Sequence, residues 1–129
     1  MKKKLTCLLL VLLLFTGYST SVLAATAFTP TSSSGCAPAG SSKQYYCWLG
    51  GTTGRVVADM FYSDERNNIS IQLFAYMYKP DGSIRVGYNT GTGLGSVDTF
   101  FDSLPGLPID YASANYFVKT SCIETLYIG

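Results

Sequence analysis

The strongest structural signal in this sequence is a strict two-residue alternation across residues 69–78. Aliphatic side chains occupy every second position, and polar or aromatic side chains occupy the positions between them. The two sets are Ile69, Ile71, Leu73, Ala75 and Met77 on one side, and Ser70, Gln72, Phe74, Tyr76 and Tyr78 on the other. Because successive side chains of a β-strand point to opposite faces, this period predicts a strand with one aliphatic and one aromatic face.

Five other segments share the strand-forming composition, which is rich in Tyr, Val, Ile and Phe and is bounded by turn residues. They are residues 45–49, 55–62, 84–88, 116–120 and 123–128. The segment Lys79-Pro80-Asp81-Gly82 predicts a tight turn that folds residues 84–88 back along residues 69–78. Short sequential connections of this kind favour antiparallel pairing.

One segment shows the spacing of an amphipathic helix. Val97, Phe100, Phe101 and Leu104 fall at i, i+3, i+4 and i+7, Ser96 is a candidate N-cap, and Pro105 ends the run. The glycine-rich stretch before it, residues 90–95, fits neither a dinucleotide nor a phosphate-loop pattern and is interpreted as a flexible connector. The predicted fold is mainly β, with α+β possible: a small antiparallel sheet or barrel of about six strands with one short helix.

The first 24 residues have the organisation of an export signal. Lys2, Lys3 and Lys4 precede an eleven-residue apolar run, and a small-residue stretch ends at Ala24. We therefore predict a cleaved signal peptide (1–24), a flexible arm rich in Ser, Thr, Pro and Gly (25–43) and a single β-rich domain (44–129). The predicted location is secreted or periplasmic, with no membrane span in the mature chain.

Charge and composition exclude several classes of function. Loss of the three leader lysines leaves six cationic side chains against eight acidic ones, a net charge of −2. A chain without a basic cluster lacks the footprint that a phosphate backbone requires, so no nucleic-acid partner is expected. The sequence contains no histidine, which removes the His-dependent catalytic triads and the commonest zinc ligand. No cofactor, no metal and no enzymatic activity are predicted.

Cysteine usage also points to an oxidising compartment. Cys7 lies in the predicted leader, so the mature chain keeps Cys36, Cys47 and Cys122. The short segment between Cys36 and Cys47 favours a local disulfide, although pairing of either residue with Cys122 remains open. The cluster Asp64-Glu65-Arg66 is interpreted as a charged turn that faces water.

Aromatic side chains are the feature best suited to recognition. The sequence has ten tyrosines, seven phenylalanines and one tryptophan, and tyrosine combines an apolar ring with a polar hydroxyl. The predicted ligand-binding residues are Tyr46, Trp48, Phe74, Tyr76, Tyr78 and Arg85. If this strand face is exposed, the chain is predicted to be a non-enzymatic binding protein whose ligand is a glycan or a protein surface. The alternative is that the helix or the other half of a barrel covers the rings.

Two other functions are weighed against this one. A small secreted effector, such as a toxin cell-binding subunit or an inhibitor, is consistent with the strand–helix–strand order, and a homo-oligomeric ring is one form that it could take. A hydrolase that uses carboxylates alone would need two of Asp98, Asp102 and Glu124 to converge across a groove.

Overall fold

The computed structural model describes residues 25–129, and these residues form eight β-strands in two antiparallel sheets. The strands are β1 (Thr31–Cys36), β2 (Gln44–Thr52), β3 (Arg55–Tyr62), β4 (Asn68–Tyr78), β5 (Ile84–Leu94), β6 (Ser96–Asp102), β7 (Tyr111–Val118) and β8 (Ser121–Ile128). The first sheet has the order β1-β2-β3-β6, and the second has the order β5-β4-β7-β8. The predicted signal peptide and Cys7 lie outside the described residues.

The core lies between the two sheets and follows the alternation of the strands. All five aliphatic side chains of β4 are fully buried, as the two-residue period predicts. They meet inward side chains of the first sheet, among them Leu49, Val56 and Ala58. The hydroxyl of Tyr116 in β7 donates to the carbonyl oxygen of Trp48 in β2, at 2.5 Å, which links the two layers. The prediction of a mainly β, antiparallel fold is confirmed.

The predicted helix over residues 97–104 is wrong, because this segment is strand β6. Val97, Thr99 and Phe101 point inward, whereas Ser96, Asp98, Phe100 and Asp102 point outward. The apparent helical spacing therefore combined side chains from both faces of a strand. Residues 25–129 contain no helix, so none there is long and apolar enough to cross a membrane.

The glycine-rich segment predicted as a connector belongs to strand β5, which continues to Leu94. Its glycines allow β6 to pass close by at the corner between the two sheets. A Cβ atom on Gly91 would lie 2.8 Å from the carbonyl oxygen of Asp98, and one on Gly87 would meet the ring of Phe101 at 2.1 Å. The side-chain nitrogen of Asn89 also donates to the carbonyl oxygen of Phe100, at 2.7 Å.

The N-terminal segment predicted as a flexible arm also contributes a strand. Residues 31–36 form β1, which pairs with β2 in the register Thr31 to Leu49 through Cys36 to Gln44. Before β1, the amide nitrogen of Phe28 donates to the carbonyl oxygen of Gly51, at 2.9 Å. β1 is rich in serine and shows no hydrophobic alternation from which it could be predicted. It is an edge strand, and its backbone hydrogen bonds to β2 hold it in the sheet.

Two turns bear on the earlier predictions. The hairpin between β4 and β5 is confirmed: the amide nitrogen of Lys79 donates to the carbonyl oxygen of Ser83, at 2.8 Å, and Gly82 has a φ of 86°. The turn between β3 and β4 differs from the prediction because Asp64 is buried. Its carboxylate lies 2.7 Å from Lys43 Nζ and 3.0 Å from Arg66 Nε, so it ties two loops together.

Candidate functional site

The outer surface of the second sheet carries a contiguous set of six aromatic and two aliphatic side chains. We call the following set the tyrosine face: Phe74, Tyr76, Tyr78, Ile84, Val86, Tyr88, Tyr111 and Tyr127. These residues come from all four strands, and each alternates with inward-facing neighbours. Tyr127 is 70% exposed, Tyr88 is 52% exposed and Tyr78 is 49% exposed. Within the described part of the chain, neither a helix nor the first sheet covers this surface.

The register between strands places the rings in contact. Because directly opposed residues of antiparallel strands point to the same face, Phe74 meets Tyr88, and Tyr76 meets Tyr111. The Tyr76 and Tyr111 rings stack, with centroids 4.4 Å apart and planes inclined by 7°. The Phe74 and Tyr88 rings are tilted, with centroids 5.0 Å apart. These contacts restrict the rings before any ligand binds, which lowers the entropy cost of binding.

A groove lies at one end of the tyrosine face. Tyr78, Tyr111 and Tyr127 line it together with Phe28 and Asp110. The carboxylate of Asp110 accepts a hydrogen bond from the Tyr78 amide nitrogen, at 2.7 Å. Burial, followed by the neighbouring Tyr78, raises the pKa of Tyr111, so its phenol stays protonated at neutral pH.

A polar row lies beside the aromatic residues on the same outer surface. It crosses the four strands in the order Thr90, Gln72, Asn115 and Thr125. The Thr125 hydroxyl donates to the side-chain oxygen of Asn115, at 2.8 Å, which fixes that amide. The surface thus combines apolar rings with adjacent hydroxyl and amide groups.

The six predicted ligand-binding residues do not form one site. Phe74, Tyr76 and Tyr78 lie together on the tyrosine face. Arg85 pairs with buried Met77, so it leaves β5 on the opposite side of the second sheet. Tyr46 and Trp48 alternate with buried Cys47 and Leu49 in β2 and lie on the outer surface of the first sheet.

That other surface has a different character, and we call it the acidic face. Tyr46, Phe61 and Phe100 are each more than 40% exposed there. Asp59 of β3 lies directly opposite Asp98 of β6, and neither carboxylate has an ion-pair partner among residues 25–129. Burial, followed by the nearby Asp98, raises the pKa of Asp59.

The predicted disulfide between Cys36 and Cys47 is not present, and all three described cysteines are free thiols. Cys47 lies opposite Ser33, three positions from Cys36 along β1. Three strand residues span about 10 Å, which exceeds the roughly 7 Å between Cα atoms that a disulfide tolerates. Cys47 is buried in the core, and this burial raises the pKa of its thiol to about 12.

The three carboxylates considered for hydrolysis lie in separate settings. Glu124 sits in the seam between β1 and β8, where its Oε2 accepts from Ser33 Oγ at 2.7 Å and from the Tyr45 hydroxyl at 3.3 Å. Asp102 pairs with Arg55, with Oδ1 2.5 Å from Nε. Asp98 of β6 lies opposite Asp59 of β3. Glu124 therefore lies apart from Asp98 and Asp102, which are both exposed on β6.

Sequence reasoning missed three tyrosines of the site, namely Tyr88, Tyr111 and Tyr127. Tyr127 carried a usable signal because it alternates with Leu126 and Ile128, which are buried. Tyr88 carried a similar signal, because alternation within residues 84–88 puts it on one side with Ile84 and Val86. Tyr111 carried none, because Pro108 favours a loop over residues 107–112, whereas β7 begins at Tyr111.

No protein-family model, curated protein or solved structure matches this chain.

Proposed function

We propose that this chain is an exported, non-enzymatic binding protein that recognises a glycan through the tyrosine face. The observation that carries the proposal is the position of this face: eight side chains from four strands form one outward surface, which no sheet or helix within residues 25–129 covers. Folded proteins seldom expose a contiguous apolar surface of this kind unless it binds something. The proposed location is secreted or periplasmic, after removal of residues 1–24.

A glycan fits this surface for a chemical reason. A sugar ring presents C–H groups on its faces and hydroxyl groups around its edge. Aromatic rings pack against C–H groups, while the hydroxyls of Tyr, Thr and Ser and the amides of Asn and Gln exchange hydrogen bonds with sugar hydroxyls. The tyrosine face and the adjacent polar row supply both kinds of contact side by side.

A protein partner is the second candidate. Tyrosine is enriched at protein interfaces, and exposed Ile84 and Val86 add aliphatic area to the tyrosine face. A small secreted effector, including one that forms a ring of identical subunits, would also use the tyrosine face in this way, because an effector acts by binding a protein or a cell surface. Native mass spectrometry separates these cases: a closed ring favours the effector, and a monomer favours the glycan-binding protein.

The test is glycan-array binding by the folded chain, compared with Tyr76→Ala and Tyr111→Ala. We expect each substitution to weaken glycan binding about tenfold, because tenfold corresponds to about 1.4 kcal/mol, which is the size of one well-packed aromatic contact. Tyr46→Ala is the matched control, since Tyr46 is an exposed tyrosine on the acidic face. It should bind as the wild type does.

Trp48 provides an independent readout of which face is occupied. It is the single tryptophan of the sequence and lies on the acidic face. A ligand on the tyrosine face should leave its emission unchanged. The proposal fails if the folded wild type binds no glycan on the array, or if binding quenches Trp48 and is lost in Tyr46→Ala instead.

A further inference from the structure

The outer surface of the second sheet carries no Asp, Glu, Lys or Arg side chain on its strands. Alternation and register assign the outward positions of β5 and β4 to Ile84, Val86, Tyr88, Thr90, Thr92, Leu94, Asn68, Ser70, Gln72, Phe74, Tyr76 and Tyr78. Those of β7 and the paired part of β8 are Tyr111, Ser113, Asn115, Phe117, Cys122, Thr125 and Tyr127. Asp110 borders the surface in the groove.

This lack of charge limits the ligand chemistry. An acidic glycan would need cationic partners to offset the loss of water around its carboxylate or sulfate groups. Arg85, the one cationic side chain predicted for the site, projects from the other side of β5. The surface therefore matches a neutral glycan in charge.

The side chains also form rows that cross the strands. We call the row Tyr88, Phe74, Ser113 and Tyr127 the aromatic row; within it Ser113 is buried. The polar row of Thr90, Gln72, Asn115 and Thr125 runs parallel to it. With strands about 4.8 Å apart, each row extends about 14 Å across the sheet. Tyr88 and Tyr127 stand at opposite ends of the aromatic row, which is long enough to hold more than one sugar ring.

Rows of this shape fit a straight, flat chain. Sugars joined through equatorial bonds, with equatorial substituents, keep only C–H groups on their faces and extend in a ribbon. Axially linked glucans curl, so their successive rings would leave a straight row of side chains. We propose that the tyrosine face binds a neutral, equatorially linked polysaccharide whose chain runs across the strands, with its rings on the aromatic row and its hydroxyl edge along the polar row. This inference rests on the proposed glycan-binding function.

The experiment compares retention of the folded chain on insoluble cellulose and chitin with its affinity for amylose and polygalacturonate. We expect retention on cellulose or chitin that does not change between low and high salt, because salt screens only charged contacts. Preference for amylose or polygalacturonate would overturn the inference while leaving the glycan-binding function in place. Absence of binding to all four polymers, and to the array above, would remove both.

Variants at the two ends of the row test the direction of the chain. Tyr88→Ala and Tyr127→Ala should each weaken retention on the polymer about tenfold, while a disaccharide of the same sugar should be sensitive to one of them at most. Both residues are more than half exposed, so both variants should remain folded, with a small loss of stability in Tyr88→Ala because its ring packs on Phe74. Equal sensitivity of the disaccharide to both changes, or no loss of polymer retention in either variant, contradicts a chain that spans the row.

Discussion

At the scale of single residues, two aspartates show how the setting decides what a carboxylate does. Asp64 is buried and accepts hydrogen bonds from Lys43, Arg66 and Asn67. Asp59 faces outward and meets another carboxylate, Asp98, across the strand pair. The first arrangement stabilises the ionised form in the folded state, and the second destabilises it.

We expect Asp64→Asn to lower the melting temperature at neutral pH, with a deficit that shrinks in acid. Hydrogen bonds from Arg66 and then Lys43 hold the pKa of Asp64 well below its usual value. A lowered folded-state pKa adds stability that is complete above the unfolded pKa of about 4 and is lost as the pH falls below it. Thermal unfolding from pH 6 down to pH 2 measures this. Glu65→Gln, an exposed change in the same turn, is the control and should keep the wild-type profile.

Asp59→Asn should have the opposite effect and raise the stability at neutral pH by about 0.2–1 kcal/mol, the usual size of a cross-strand charge effect. Because the folded-state pKa of Asp59 is raised, its ionised form opposes folding once the pH exceeds the unfolded pKa. The gain should vanish in acid, where the wild-type group is protonated. Asp98→Asn should give a smaller gain, because it removes the facing charge and leaves Asp59 partly buried, whereas Asp102→Asn, which loses the Arg55 pair, should give none. A loss of stability in Asp59→Asn would contradict this account.

At the scale of elements, the contact between β5 and β6 depends on glycine. We expect Gly91→Ala to destabilise the fold by about 1–3 kcal/mol, the usual cost of forcing an atom into a packed site. The added methyl group would lie 2.8 Å from a backbone oxygen of β6, which cannot rotate away as a side chain can. Urea unfolding measures the loss. Gly54→Ala is the matched control, because its nearest neighbour lies at 3.6 Å, and wild-type-like unfolding of both variants would show that this corner is loosely packed.

Strands β4 and β6 show which features of the fold the sequence could and could not predict. Alternation predicted β4 and its two faces because every second side chain belongs to one class. In β6 the inward positions include Thr99, which is polar but buried, while Phe100 points outward beneath the Arg55 guanidinium, 4.4 Å from its ring centroid. Because Thr99 is inside and Phe100 is outside, the apolar residues of β6 follow the spacing of a helix and not the two-residue period of a strand.

At the scale of the whole molecule, the candidate site depends on pairings between distant segments. The sequence predicted that Phe74, Tyr76 and Tyr78 share a face, because that is a property of one strand. It could not predict that Tyr111 stacks on Tyr76, since this requires β7 to lie beside β4. It also could not place Tyr46 and Trp48 on the opposite side, because which sheet β2 joins is set by long-range pairing.

The separation of the two outer surfaces has a consequence for a protein adsorbed to a solid polymer. A molecule attached through its tyrosine face turns Asp59 and Asp98 toward the solvent. A second molecule that arrives with its own tyrosine face forward would meet these carboxylates in place of sugar, and that uncharged surface has no cation with which to pair them. Adsorption should accordingly stop at a monolayer, and its isotherm should reach a plateau set by the footprint of one sheet.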